Sequence, residues 1–251
     1  MMNMKAMILF TLLCLPAISA AGTLSWMAEE RWVTVSKVYD GDTFKTRRGE
    51  KIRFLGLNTP ETRHGDEPGQ VGGKQAKVAL TKLILGKQVR LRFDKEKKDR
   101  YKRTLAQVWM RDGLWVNGWL MRQGYAHVYT FEPNSRWAKK LLQEERIARA
   151  EKLGIWGTAR FQLMNSRHIS NKSIGQFRVV QGVVGQRADK KGWGFKLGKL
   201  NISTPKSYRK FFKGPPNLKK GQKVIVRGKI RISSKERLFL SLHSPTDLEL
   251  R

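Results

Sequence analysis

Residues 39 to 61 read Y-D-G-D-T-F-K-T-R-R-G-E-K-I-R-F-L-G-L-N-T-P-E. The oxygen-bearing side chains of Asp40, Asp42, Asn58 and Glu61 fall in this stretch with Arg53 among them. Carboxylates hold hard divalent cations, and a guanidinium forks onto phosphate oxygens. A cation, an arginine and a carboxylate base are together what phosphodiester hydrolysis asks for: charge relief at phosphorus and a proton acceptor for the attacking water. Each residue also has a plainer reading. Asp40-Gly41-Asp42 makes a good hairpin turn. Asn58-Thr59-Pro60-Glu61 makes a turn or helix start with Glu61 capping it, and Arg53 on a strand is a solvated face residue.

The surrounding pattern supplies elements that can position these groups. Trp32 to Val35 begins a strand. Thr43-Phe44-Lys45 and Ile52 to Leu55 alternate as two more, joined by a polar turn at Arg48-Gly49-Glu50. Residues 62 to 73 form a polar, glycine-rich loop. Ala76, Ala79, Leu80, Leu83 and Ile84 repeat at helical spacing, and Gly86 ends that helix. Val89, Leu91 and Phe93 alternate with Arg90, Arg92 and Asp94 at strand period. Ala106 to Met110 and Leu114 to Val116 flank Arg111-Asp112-Gly113 as a hairpin. Asn117 can cap a short helix ending at Gly124. A last helix runs from about Ser135 to Leu153, with Trp137, Leu141, Leu142 and Ala148 inward. Residues 32 to 157 therefore read as a small β-barrel with helices packed on it, an α+β arrangement.

Residues 158 to 176 are polar and irregular, as a linker would be, and residues 177 to 251 read as a second small all-β unit. Its predicted strands are Phe177 to Val184, Trp193 to Leu197, Lys223 to Ile232 and Leu238 to Leu242, with a turn at Asp189 to Gly192. Lys and Arg number 51 against 20 Asp and Glu, a net of +31 with a pI near 10.7. Residues 161 to 251 carry 21 of these cations against four acids. A balance this basic points to a polyanion partner, with anionic lipid the other candidate.

Residues 1 to 21 have one lysine, an apolar run from Ala6 to Leu15 and a small-residue ending, the pattern of a signal peptide cleaved after Ala20 or Ala21. The run is too short to span a bilayer. An exported protein in the periplasm or released from the cell, with no stable membrane anchor, is the expectation. The single cysteine, Cys14, lies inside this segment, so the mature chain has neither disulfides nor a cysteine nucleophile. His64, His127, His168 and His243 show no ligand spacing, which argues against a zinc site.

V-Y-D-G-D-T, I-R-F-L-G-L-N-T-P-E, D-R-Y-K-R-T-L-A, W-V-N-G-W-L-M-R-Q-G-Y-A and E-K-L-G-I-W-G occur in this order. In these five motifs the chain resembles the staphylococcal nuclease (thermonuclease) family over residues 32 to 157. The resemblance implies a five-stranded Greek-key barrel of OB type with three helices. It also implies calcium-dependent cleavage of DNA and RNA that leaves 3′-phosphates. Asp42 then matches a calcium-binding carboxylate and Asp40 an acidic neighbour of the metal, while Thr59 matches the residue lending its carbonyl. Glu61 matches the residue that activates water, and Arg53 and Arg103 match the arginines gripping the scissile phosphate. Arg100 and Tyr101 fall where a terminal phosphate is contacted, with Arg100 in place of a usual lysine. Tyr129 and Phe131 fall near base-site aromatics. Asn58 departs from the pattern: it stands where the family carries a second metal-ligand aspartate. An amide oxygen still coordinates but removes one charge, so weaker binding is expected and Mg2+ or Mn2+ stand beside Ca2+ as candidate metals.

The second unit resembles OB-type accessory domains only in strand order. Trp193, Phe195, Tyr208, Phe211 and Phe212 interleave with lysines and arginines, as a nucleic-acid surface would, or fill a small core that lysines coat. The expected function is an exported, metal-dependent endonuclease, monomeric, acting on DNA and/or RNA. The alternative is a nucleic-acid-binding protein on the same fold with catalysis weakened or lost through Asn58.

Overall fold

A computed structural model describes residues 30–63, 68–186 and 191–251. The expected signal peptide, Cys14, His64 and the first two residues of the turn at 189 to 192 lie outside the described residues.

Strands β1 (Glu30–Val38), β2 (Thr43–Thr46) and β3 (Lys51–Phe54) follow the alternation that predicted them. Glu30 and Arg31 already belong to β1, two residues ahead of the strand start expected at Trp32. Next come β4 (Leu57–Asn58), helix α1 (Gly73–Ile84), β5 (Gln88–Arg92), β6 (Thr104–Trp109), helix α2 (Val116–Arg122), β7 (His127–Val128) and helix α3 (Ala138–Ala150). The barrel closes in the order β1-β2-β3-β6-β5. Closure depends on the length of β1. Its first half pairs with β5, from Glu30↔Arg92 to Thr34↔Gln88, and its second half pairs with β2, with a register shift between Val35 and Lys37. That irregularity bends one strand around two neighbours. Inside, Phe44, Ile52, Phe54, Leu91 and Val108 are buried with Leu80 and Ile84 of α1. Phe44 and Phe54 meet edge to face at 5.8 Å.

Two local expectations are corrected. The segment after Gly113 returns only as a single bridge, Trp109↔Trp115, and turns helical at Val116 instead of continuing a hairpin. Asn117 does not cap that helix. It is fully buried inside it, accepting from Val108 N at 2.9 Å and donating to Leu55 O at 3.1 Å. Those two bonds stitch α2 to the barrel wall, which is worth more to a buried amide than an exposed cap.

The remainder of the chain is β-rich. Strands β8 (Met164–Asn165), β9 (Phe177–Val183), β10 (Gly194–Leu197), β11 (Leu200–Ser203), β12 (Lys223–Lys229), β13 (Arg231–Ile232), β14 (Leu238–Ser241) and β15 (Leu248–Leu250) form two four-stranded sheets. Their orders are β15-β12-β9-β8 and β10-β11-β14-β13. The two enclose Val180, Phe195, Leu197, Leu200, Ile202, Val226 and Leu240. Phe195 is therefore core. The segment 158 to 176 supplies β8 and buries Phe161 and Ile169. A third apolar cluster joins the two halves: Ala148, Ile155 and Trp156 meet Phe161, Val179 and Ile225.

Candidate active site

The β1–β2 connection carries the two aspartates, and it is both a turn and part of a cleft. Asp42 N donates to Asp40 Oδ1 at 3.0 Å, the bond that tightens the turn. Gly41 must be glycine for reasons of space: a Cβ there would sit 2.6 Å from Ala76 Cβ on α1 and 2.7 Å from Thr59 Cγ2. The absence of a side chain lets α1 and the Thr59 backbone close on the acidic turn. Gly73 does the same at the start of α1, where a Cβ would lie 2.4 Å from Glu61 O. The helix N-terminus is thereby pressed against the Pro60-Glu61 backbone, and Gln70 N donates to Glu61 O at 2.8 Å.

Asp42 is the hub. Its Oδ2 accepts from Thr59 N at 2.9 Å and pairs with Arg53 Nη1 at 2.5 Å, and its Oδ1 accepts from Thr43 Oγ1 at 3.0 Å. Arg53 donates from Nη2 to Asn58 Oδ1 at 2.8 Å, and Asn58 Nδ2 donates to Thr59 O at 2.9 Å. Because guanidinium only donates and a carbonyl only accepts, this orientation of the Asn58 amide is the one that satisfies both neighbours. Asn58 thus engages the very carbonyl expected to face a metal. Burial pushes the Asp40 carboxyl up to about 7, and the adjacent Asp42 carboxylate adds to the rise. Two carboxylates that repel one another in this way, with an amide oxygen and a carbonyl beside them, form a donor set of oxygens only, suited to a hard cation. Among the described residues no three His, Cys, Asp or Glu side chains cluster as a ready-made ligand set.

Arg103 reaches the same cleft from the segment between β5 and β6. Asp99, which the sequence reading passed over, fixes it: Oδ2 accepts from Arg103 Nε at 2.8 Å and Nη2 at 2.7 Å, and Oδ1 accepts from Arg103 N at 3.0 Å. The signal was present as an acid four residues before Arg103, hidden in a basic run. Arg100 Nη2 donates to Tyr101 Oη at 2.7 Å, and both Arg100 and Arg103 lie over the Tyr101 ring. On the opposite wall Tyr129 and Phe131 meet edge to face at 4.6 Å and are 40% and 48% exposed, too open to be packing residues alone.

Asp40, Asp42, Arg53, Asn58, Glu61, Arg100, Tyr101, Arg103, Tyr129 and Phe131 therefore line one cleft of about 660 Å³. Thr59 sits just behind it, buried. Lys98, Asp99, Glu96 and Asn134 also line it.

The cleft's far wall is braced from the second half of the chain, which sequence reasoning did not find. Strand β7 pairs with β4 through Leu57↔Val128 and Asn58↔His127. Val128 N donates to Glu145 Oε2 on α3 at 2.6 Å, and Arg227 of β12 donates from Nη1 to both Glu145 oxygens at 2.7 and 2.8 Å. Arg227 Nη2 also donates to Glu249, which Arg146 and Arg149 contact as well. Burial pushes the Glu249 carboxyl up, but Arg227 and Arg149 outweigh it and hold the group below the usual range. Phe177 stacks on His127 at 4.0 Å. Burial drives the His127 imidazole down to about 4, so the ring is neutral in the folded protein.

Residues 51–158 match a family model described as staphylococcal nuclease homologue. Thermonuclease of Staphylococcus intermedius is 37% identical over 125 residues, covering 49% of this chain and 74% of that protein. Thermonuclease of Staphylococcus hyicus is 35% identical over 132 residues, covering 51% and 78%. Endonuclease YncB of Bacillus subtilis is 36% identical over 129 residues, covering 49% and 61%. The family match runs from β3 past α3 and takes in Arg53, Asn58, Glu61 and Arg103, and by the identity to the two thermonucleases the chain belongs to the staphylococcal nuclease family.

Proposed function

We propose that the protein is an exported, divalent-metal-dependent endonuclease that hydrolyses phosphodiester bonds of DNA and/or RNA. The observation that carries this reading is the convergence of Glu61, Arg53 and Arg103 with the Asp40–Asp42 pair in one cleft. The names thermonuclease and endonuclease among its relatives point the same way. A purely binding cleft has no use for a carboxylate facing a phosphate, because the two repel.

Arg53 and Arg103 grip the scissile phosphate. Each is held in place before substrate arrives, Arg53 by Asp42 and Asn58 and Arg103 by Asp99. Preorganised donors of this kind strengthen as negative charge builds on the phosphoryl oxygens. Glu61 accepts the proton of the attacking water as its oxygen bonds to phosphorus, and the departing sugar oxygen takes a proton from solvent. Asp42, Asp40, Thr59 O and Asn58 Oδ1 would hold the cation, most simply Ca2+, with Mg2+ and Mn2+ also suited to oxygen donors. When bound it supplies Lewis-acid charge relief at the phosphate. Arg100 and Tyr101 contact a neighbouring phosphate, and Tyr129 and Phe131 offer faces to the flanking base. Export to the periplasm or medium follows from residues 1 to 21.

The experiment is a cleavage assay of the mature chain on single-stranded DNA, double-stranded DNA and RNA. It is run with Ca2+, Mg2+, Mn2+ or chelator. Internal cleavage that needs a divalent ion is the expected result. Tight binding without cleavage under any ion would instead favour a nucleic-acid-binding protein on this fold.

A further inference from the structure

The cleft does not end at the barrel. Its aromatic wall touches the second half of the chain at two points: Phe177 meets Tyr129 edge to face at 5.9 Å, and Ser244 Oγ donates to Glu132 Oε1 at 2.9 Å. Ile230 N donates to Gln176 O at 2.9 Å, beside Phe177, so the next residue, Arg231, is delivered to the same rim. Arg231 is exposed and forms no ion pair among the described residues. Its charge is felt on both sides. Burial pushes the Tyr129 phenol up while Arg53 and Arg231 pull it back, and burial together with Arg231 lowers His243. His243 lies against Tyr208 with ring centroids 4.6 Å apart. These contacts set Arg231, beside Phe177, and the His243–Tyr208 pair, beside Ser244, along the rim next to Tyr129 as one row of surface groups.

Among the described residues, Glu132, the carboxylate that touches this row through Ser244, has both oxygens engaged, by Ser135 Oγ and Ser244 Oγ. Of the four acidic residues in 161 to 251, Asp247 and Glu249 are buried, Asp247 capping His243 N and Ser244 N and Glu249 facing Arg227. An unpaired guanidinium flanked by partly exposed rings is what a single strand requires: charge for the backbone and a face for an unstacked base.

We propose that Arg231, with the Tyr208–His243 ring pair beyond it, is a second nucleic-acid subsite that holds the single-stranded segment running off the cleft past Tyr129. It rests on the nuclease reading above. The subsite makes the second half of the chain a substrate guide, extending the binding track beyond the nucleotides flanking the scissile bond.

The test uses the full mature chain in chelator, with labelled oligothymidylates of three and twelve nucleotides and salt titrations of each. The three-mer, with few nucleotides to extend beyond the cleft, sets the reference. Arg231→Ala should lower the twelve-mer to three-mer affinity ratio about tenfold, the order of one guanidinium–phosphate contact. It should also reduce the twelve-mer salt slope by about one. Tyr208→Leu should lower the same ratio without changing that slope. An unchanged ratio in both variants, alongside intact cleavage by the parent protein, overturns the subsite and leaves the nuclease reading standing. Loss of affinity only for phosphatidylglycerol vesicles would assign the row to lipid and overturn it equally. A parent protein that neither binds nor cleaves any oligonucleotide overturns both.

Discussion

Arg227 and Glu145, 82 residues apart in sequence, form a bidentate ion pair in which both side chains are essentially solvent-free. Glu145 simultaneously accepts the Val128 N–H, so a residue of the second half helps to set β7, the strand that leads directly into Tyr129. The nuclease-like half accordingly shares an apolar cluster and a buried ion pair with the second half. Deleting residues 161 to 251 would strip partners from Glu145, Ile155 and Trp156 as well as cations from the surface. Point variants are therefore the cleaner probes.

Without Arg227, the ion pair left to Glu145 among the described residues is with Arg149 Nε at 3.3 Å, a longer contact that compensates its buried charge less well. Arg227→Met should destabilise the protein by about 3–5 kcal/mol. Adding Glu145→Gln to it should restore part of that loss, because the neutral amide still accepts from Val128 N. Urea unfolding of the two single variants and the double variant checks this. Strict additivity of the two changes would show that the pair is not coupled.

Asp99 holds Arg103 in a partly exposed position, where an ion pair contributes little to stability, on the order of 1 kcal/mol or less. Positioning is another matter. Asp99→Ala should leave the melting temperature nearly unchanged while cutting cleavage roughly tenfold to a hundredfold. Parallel melting curves and initial rates decide it, and equal losses in both would reduce Asp99 to a structural residue.

Asn58 donates to Thr59 O and accepts from Arg53, so it occupies one oxygen that a cation would use. Asn58→Asp adds a charge and removes that donation. The Ca2+ concentration for half-maximal cleavage should fall roughly tenfold. Isothermal titration with Ca2+ gives the same comparison without turnover, and unchanged affinity would remove Asn58 from the ligand set.

His127 gives a pH signature. Its folded value near 4 lies below the ordinary 6.5, so the unfolded chain binds a proton that the folded one refuses between those limits. The stability this confers is complete above pH 6.5 and is lost as pH falls toward 4, by about 3 kcal/mol. In His127→Phe that part of the acid sensitivity should disappear. Urea midpoints at intervals from pH 7 to 4 test it, and parallel pH profiles for parent and variant would refute it.

Much of this was legible in the sequence because the information is local. Alternation at Thr43 to Lys45 and Ile52 to Phe54 defines two barrel strands, and the acidic turn and the Asn58 to Glu61 segment fall at their ends. The cleft residues that the spacing singled out do meet in one place. What stayed hidden is long-range or masked by composition. No periodicity can announce that Glu145, on a helix already rich in charge, turns inward to meet Arg227. Asp99 was obscured by surrounding lysines and arginines. Asn117 looked like a helix cap because asparagine favours caps, and tertiary burial overrode that preference. Strands as short as Met164–Asn165 and Leu248–Leu250 carry too few residues to show a period at all.

The central proposal is that Glu61 takes the proton from the attacking water. Glu61→Gln keeps the shape and removes the base. Single-turnover cleavage of DNA in the presence of Ca2+ should fall by about a hundredfold or more, while oligonucleotide affinity in chelator does not weaken. Cleavage by Glu61→Gln at the parent rate would contradict the assignment directly.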